Sequence, residues 1–241
     1  MWTQLNVSTG EEAKTAEEPV VLRKPYDPLR ARQGSDHWTK LVLSAATIIA
    51  LWYVTTSVMK YLHVTRETYG LFWPRHEWLF AHVIAGTIAV VFGPVQFWLG
   101  LKRDQPTLHR TIGVAYVVCT AVGAISAIYL ALHTVYGWIF GAGLTAMAVA
   151  WILTTGMATI AIYRKKVPLH RQWMIRSYLI TFGFVLFRFT TDTLEMGNVG
   201  TMAERMAFSS WACWTLPLLA VEGVIQGRKL WAKTPLGEVA E

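Results

Sequence analysis

Charged residues are scarce in this sequence of 241 residues: they make up 15% of the chain, whereas 54% of the residues are hydrophobic. A soluble domain has about 25% charged residues, and a water-soluble chain of this length could not bury so much apolar surface in one core. The shortage of charge therefore argues against an ordinary soluble protein. It indicates a protein whose apolar surface faces a lipid bilayer.

Cysteine is also rare. The chain has two, Cys119 and Cys213, and both lie within apolar runs, where a free cysteine behaves as a small hydrophobic residue. This argues against a disulfide framework and against a thiolate metal site. The sequence also lacks the phosphate-binding glycine loop, the Gly-x-Ser-x-Gly elbow and the His-Glu-x-x-His helix of soluble enzymes, so we assign no catalytic residue.

No apolar stretch follows positive charge in the first forty residues, so we expect no secretory signal peptide and expect the first apolar run to act as the insertion signal. The net charge is +7, but the basic residues fall in short clusters between apolar runs. That pattern is typical of membrane proteins and not of nucleic-acid-binding surfaces. We therefore expect no nucleic acid partner.

Six apolar runs are present, each near the length of about 20 residues that a helix needs to cross about 30 Å of hydrocarbon. They cover residues 40–61, 78–101, 110–134, 138–163, 171–191 and 207–227. The sequence therefore predicts an all-α, polytopic membrane helix bundle with six transmembrane helices over residues 39–227. Gly93-Pro94 interrupts the second run, where we expect a kink because proline removes a backbone hydrogen bond.

Basic residues predict the orientation, because short loops rich in lysine and arginine stay in the cytoplasm. If the chain crosses six times, four basic clusters fall on one side: residues 23–40, 102–110, 164–171 and 228–233. The opposite connections are uncharged or acidic on balance, except for 62–77. Both termini are therefore predicted to be cytoplasmic.

The two ends of the chain are polar. Residues 1–38 contain three prolines that argue against a long helix, Pro19, Pro25 and Pro28. We expect a mostly irregular N-terminal arm that lies along the membrane or against another membrane protein subunit. Residues 228–241 form a short tail that changes from basic to acidic.

Four histidines near the ends of the predicted helices are candidates for a functional site, since ionisable residues in a membrane are costly. His109 and His170 lie at the cytoplasmic side, and His82 and His133 at the outer side. Two histidines on neighbouring helices at one depth are what axial ligation of b-type haem requires, so each pair is a candidate set of iron ligands. Three arginines could pair with haem propionates: Arg110, Arg171 and Arg176.

Other interpretations of these residues remain open. His109 and His133 lie roughly 120° apart around one helix, the fourth run has no histidine, and histidines at helix ends often cap helices. The two Leu-His-Arg groups at helix N-termini could instead bind an anion, such as a phospholipid headgroup, without any cofactor.

Four further polar residues within the apolar runs could line a path for a small solute: Gln96, Arg188, Asp192 and Glu222. Arg188 and Asp192 are one turn apart and could equally form a structural pair. Glu222 could reach the interface or a basic residue there.

Several motifs resemble a family of bacterial membrane proteins, catalogued as domain of unknown function 2306. They are His82-x-x-x-Gly86, Gly93-Pro94-x-Gln96, Leu108-His109-Arg110-x-x-Gly113-x-x-Tyr116, Trp151-x-x-Thr154-Thr155, His170-Arg171-x-Trp173-Met174-x-Arg176-Ser177-Tyr178 and Arg188. The resemblance implies a helical protein of the bacterial cytoplasmic (inner) membrane with no established activity, and it does not extend to His133. The chain is also similar to the di-haem membrane cytochromes b, in which histidines on a four-helix core hold one haem near each face.

We therefore expect a haem-binding membrane subunit that passes electrons between a membrane donor and a membrane acceptor, with His109 and His170 as ligands. The alternative is a cofactor-free accessory protein that binds membrane lipids or packs against a larger complex. A transporter of small solutes is a third interpretation.

Overall fold

The computed structural model describes residues 28–231, which are helical apart from short connections and contain no strand. The helices are α1 (Pro28–Tyr53), the single turn α2 (Arg66–Tyr69), α3 (His76–Lys102), α4 (Pro106–Leu132), α5 (Trp138–Tyr163), α6 (Val167–Met196) and α7 (Met202–Trp231). Each predicted apolar run falls largely within one long helix. The predicted all-α membrane helix bundle is thus confirmed.

The N-terminal end differs in detail from its prediction. The chain divides into two units, residues 1–38 and 39–241. Within the first unit, residues 28–38 are helical, because α1 already begins at Pro28, and proline is tolerated in the first turn of a helix. Residues 1–27 of the predicted arm and residues 232–241 of the predicted tail lie outside the described residues.

Within residues 28–231, five segments are long and apolar enough to cross a membrane: Leu41–Leu62, Arg66–Lys102, Pro106–Leu132, Trp138–Tyr163 and Met202–Gly227. Helix α6 is not among them, because basic and acidic side chains lower its hydropathy. With 30 residues at 1.5 Å each, it is about 45 Å long, which is enough to cross. The count of six spans and the cytoplasmic location of both termini stay predictions.

Helices α3, α4, α5 and α6 form a four-helix core, in which each helix packs against the next and α6 packs against α3. Helix α7 lies against α5 and α6. Neighbours in the core are antiparallel: Trp151 of α5 bonds Thr181 of α6, whereas Thr155, one turn later on α5, bonds Ser177, one turn earlier on α6. Helix α6 therefore runs back along α5 through the depth of the bundle.

The Gly93-Pro94 step of α3 is a docking point for α6. Pro94 lies inside the helix and lacks the N–H that would donate to the carbonyl of Val90. Tyr178 of α6 supplies the missing donor, since its hydroxyl donates to Val90 O at 3.2 Å. Gly93 makes room for the ring, because a Cβ there would lie 1.9 Å from Tyr178 Cε2. The kink expected at this step stays a prediction.

Candidate functional site

Hydrogen-bonded hydroxyl groups lie in the middle of the four-helix core. The hydroxyl of Tyr116 bonds Ser177 Oγ at 2.9 Å and Thr181 Oγ1 at 2.7 Å. Ser177 Oγ also bonds Thr155 Oγ1 at 2.7 Å, and Trp151 Nε1–H donates to Thr181 Oγ1 at 2.8 Å. All five side chains are buried. Because an unpaired polar group is costly inside a bilayer, this hydroxyl network fixes how α4, α5 and α6 fit together.

His109 and His170 lie at one depth, toward the N-terminal ends of α4 and α6. His109 is two helical turns before Tyr116, and His170 is two turns before Ser177. Two turns return a side chain to the same face of its helix, about 10 Å away along the axis. Since Tyr116 and Ser177 touch, the two histidines lie on the faces of α4 and α6 that meet in the core, toward one end of the bundle.

The ring nitrogens of these two histidines differ in their partners. His170 Nδ1 lies 2.9 Å from the carbonyl oxygen of Ala158, which can only accept, so Nδ1 carries the proton and Nε2 is left as an acceptor or ligand. His109 Nδ1 is buried and interacts with the backbone of Gln96, although no contact with ordinary hydrogen-bond geometry is made to it within the described part of the chain. The backbone carbonyl of His109 accepts from Gln96 Nε2 at 2.7 Å.

The three arginines proposed as propionate partners fall into two groups. Arg110 and Arg171 are exposed, directly after the two histidines. Arg176 is already engaged: its Nε donates to Glu222 Oε2 of α7 at 3.1 Å and the two side chains form an ion pair. Its guanidinium also lies over the ring of Trp173, 5.1 Å from the centroid.

His82 and His133, the two histidines predicted at the outer side, are not brought together. His82 Nδ1 lies 2.9 Å from Gly123 O, a residue that precedes His133 by about 15 Å of helix. His133 is exposed after the end of α4, with its Nδ1 2.8 Å from Tyr129 O. The ligand nitrogens of one haem lie about 4 Å apart across the iron, given bonds of roughly 2 Å. The outer pair could not hold one haem without a large rearrangement.

The four polar residues suggested for a solute path are engaged at separate places. Gln96 is buried and bonds the backbone of His109, and Glu222 pairs with Arg176. Arg188 Nε lies 3.1 Å from Asp192 Oδ2, and both side chains are well exposed. His170 lies at the level of Gln96, because Gln96 bonds the backbone of His109 at that depth. Arg188 is about 27 Å away from His170 along α6. The structure therefore does not bring these residues to one path.

Within residues 28–231, no group of three or more His, Cys, Asp or Glu side chains could hold a metal ion. Two imidazoles alone leave half of the usual four-ligand set of a zinc ion unfilled. A porphyrin supplies four nitrogens and needs only axial ligands from the protein. The donor set of His109 and His170 therefore fits haem better than a bare metal ion.

Sequence reasoning missed the hydroxyl network. Tyr116, Thr155 and Ser177 lie in the motifs that carry the family resemblance, yet no role was assigned to them. One available signal is that Ser177 and Thr181 are one turn apart on α6, the helix with the most polar residues in its apolar run.

A family model described as "Predicted membrane protein (DUF2306)" matches residues 79–225, which is more than half of the chain and spans the four-helix core. No curated protein and no solved structure matches the chain. The similarity to di-haem cytochromes b finds no support in these comparisons.

Proposed function

The chain belongs to the DUF2306 family of predicted membrane proteins, and from that premise we propose that its four-helix core binds a b-type haem between His109 and His170. A multi-pass membrane protein with such a site serves as an electron-carrying subunit. Its location in this proposal is the cytoplasmic (inner) membrane of a bacterium.

The observation that supports this proposal is the placement of two imidazoles at one depth on α4 and α6, which are diagonally opposed in the core. The flanking helices have small residues at that level. Gly100 of α3 lies beside His109: a Cβ added to Gly100 would stand 3.4 Å from His109 Cε1. Ala158 of α5 lies beside His170, whose Nδ1 bonds its carbonyl.

Haem, when bound, supplies one-electron redox chemistry. The chain's own groups would hold and orient it. The carbonyl of Ala158 would hold the tautomer of His170 that leaves Nε2 for the iron, and the imidazole of His109 would supply the second donor. Arg110 and Arg171, exposed at the helix starts, are the cations that would neutralise the propionates in this proposal.

Optical spectra of the detergent-purified protein, oxidised and then reduced with dithionite, test the proposal. The wild type should show b-type haem bands, and His109→Ala or His170→Ala should remove them. Arg110→Lys should spare them because the charge is kept. His133→Ala is a matched control and should bind as much haem as the wild type. A colourless wild type, produced with ample haem supply and reconstituted with added haem, would contradict the proposal.

A second candidate function is a cofactor-free accessory subunit that binds lipid. One observation favours it: Arg110 and Arg171 are exposed, and neither forms an ion pair within the described residues. An anionic phospholipid would satisfy these cations and the free N–H groups at the helix starts. Native mass spectrometry should then show bound anionic lipid that is lost in Arg110→Gln/Arg171→Gln. A colourless protein with that behaviour would support this candidate, with further membrane subunits contacting the N-terminal arm.

A further inference from the structure

An apolar cavity of about 130 Å³ lies in the half of the core away from His109 and His170. Its lining includes Phe184, Met147 and Trp151, and Trp151 also belongs to the hydroxyl network. Apart from His82 and Thr134, the side chains that line the cavity are hydrocarbon, aromatic or thioether groups. The cavity is therefore a separate feature from the proposed haem site.

Within residues 28–231, two polar groups of the lining keep hydrogen-bonding capacity: the hydroxyl hydrogen of Thr134 and Nε2 of His82. The indole N–H of Trp151 donates to Thr181, and Thr134 Oγ1 accepts from the backbone N–H of Tyr136 at 3.2 Å. His82 Nδ1 must carry its proton, because its partner at 2.9 Å is the carbonyl of Gly123. In the neutral ring, Nε2 is then a hydrogen-bond acceptor, and the ring's hydrogen bond within the part of the chain that is described is the one from Nδ1 to Gly123.

We propose that this cavity binds the ring of a membrane-dissolved phenol or hydroquinone, whose hydroxyl donates to His82 Nε2. The size fits one ring, since an engineered apolar cavity of about 150 Å³ binds benzene. Aromatic neighbours are in place: the ring centroids of His82 and Phe184 are 5.0 Å apart, and those of Trp151 and Phe184 are 5.4 Å apart. A strongly polar metabolite is excluded, because the wall could not pair its remaining polar groups.

Titration calorimetry with phenol and toluene tests the proposal, because the two probes are close in size and only phenol has a donor. Both are titrated into the full chain in one detergent, so that partitioning into micelles cancels when variants are compared. His82→Phe keeps an aromatic ring and removes the acceptor. We expect the ratio of phenol affinity to toluene affinity to fall about fivefold in this variant, the value of one ordinary hydrogen bond.

Two further variants make the experiment specific. Ala127→Leu places a larger side chain in the cavity wall, so both probes should lose saturable binding. His133→Phe changes an exposed histidine that does not line the cavity and should leave both affinities unchanged. Circular dichroism and gel filtration check that each variant is folded.

An unchanged phenol-to-toluene ratio in His82→Phe would overturn the proposal, as would a wild type that binds neither probe saturably. The inference does not depend on haem. His109→Ala should bind phenol as the wild type does, whether or not it has lost a cofactor.

Discussion

We expect the hydroxyl of Tyr178 to stabilise the fold because Pro94 leaves the carbonyl of Val90 without its usual backbone donor. Tyr178→Phe keeps the ring that packs on Gly93 but removes the hydrogen bond to Val90 O. Val90 is 2% exposed and Tyr178 is 8% exposed, so no water replaces the lost donor. An unpaired buried carbonyl costs about 1–3 kcal/mol, whereas hydrogen bonds between membrane helices average about 0.6 kcal/mol. We expect a loss of about 1 kcal/mol, between these two values.

Pro94→Ala changes this expectation in a defined way. The substitution restores a backbone N–H that can donate to Val90 O within α3, so the carbonyl no longer needs Tyr178. In that background Tyr178→Phe should cost less than about 0.5 kcal/mol, which gives a coupling energy of about 0.5–1 kcal/mol.

The assay is reversible unfolding in mixed micelles with increasing SDS, followed by circular dichroism, for the four proteins of the cycle. Tyr163→Phe is a matched control, since Tyr163 is 83% exposed and its hydroxyl should contribute within about 0.5 kcal/mol. If the two substitutions are additive within about 0.3 kcal/mol, Tyr178 does not replace the N–H that Pro94 lacks, and the reasoning is refuted.

Three other predictions concern packing, topology and the N-terminal arm. Gly93→Ala should destabilise the protein by about 2 kcal/mol or more, because the new Cβ would lie 1.9 Å from the Tyr178 ring. In thermal melts, adding Tyr178→Ala to the same chain should recover part of this loss. If the effects of the two substitutions are fully additive, the clash is contradicted. Cysteines at Tyr136 and Asn198, in a background without the native cysteines, should react with an impermeant thiol reagent added outside intact cells. Labelling only after lysis would reverse the orientation. Deletion of residues 1–30 should leave membrane insertion intact in flotation assays, since no apolar signal is lost, and failure to insert would count against this view of the arm.

Hydropathy located the helices well and their ends less well. For α6 the apolar run predicts 171–191, whereas the helix is Val167–Met196. Hydropathy reports only the part of a helix that suits lipid. The actual end depends on local backbone geometry, such as the positive φ of 54° at Asn198, which interrupts a right-handed helix.

The site could be predicted as residue types but not as an arrangement. The sequence singled out His109 and His170, yet it could not say that α4 and α6 meet through Tyr116. Neighbouring threonines show why. The hydroxyl of Thr154 donates to the carbonyl of Ala150 in its own helix, whereas that of Thr155 bonds Ser177 on another helix. Which of the two bonds a threonine of α5 forms depends on whether it lies on the face of α5 that packs against α6.

The polar character of α6 has a consequence for how the protein is made. A segment with this many charged and hydroxylated side chains is a weak signal for the machinery that releases nascent helices into the bilayer. Its partners come from helices on both sides in the chain: Thr155 of α5 precedes it, and Glu222 of α7, which pairs with Arg176, follows it. When the ribosome has completed α6, Glu222 of α7 has not yet been synthesised, so Arg176 lacks this counter-ion at that moment. We therefore expect α6 to enter the lipid only after α7 has been synthesised, and to do so together with its neighbouring helices.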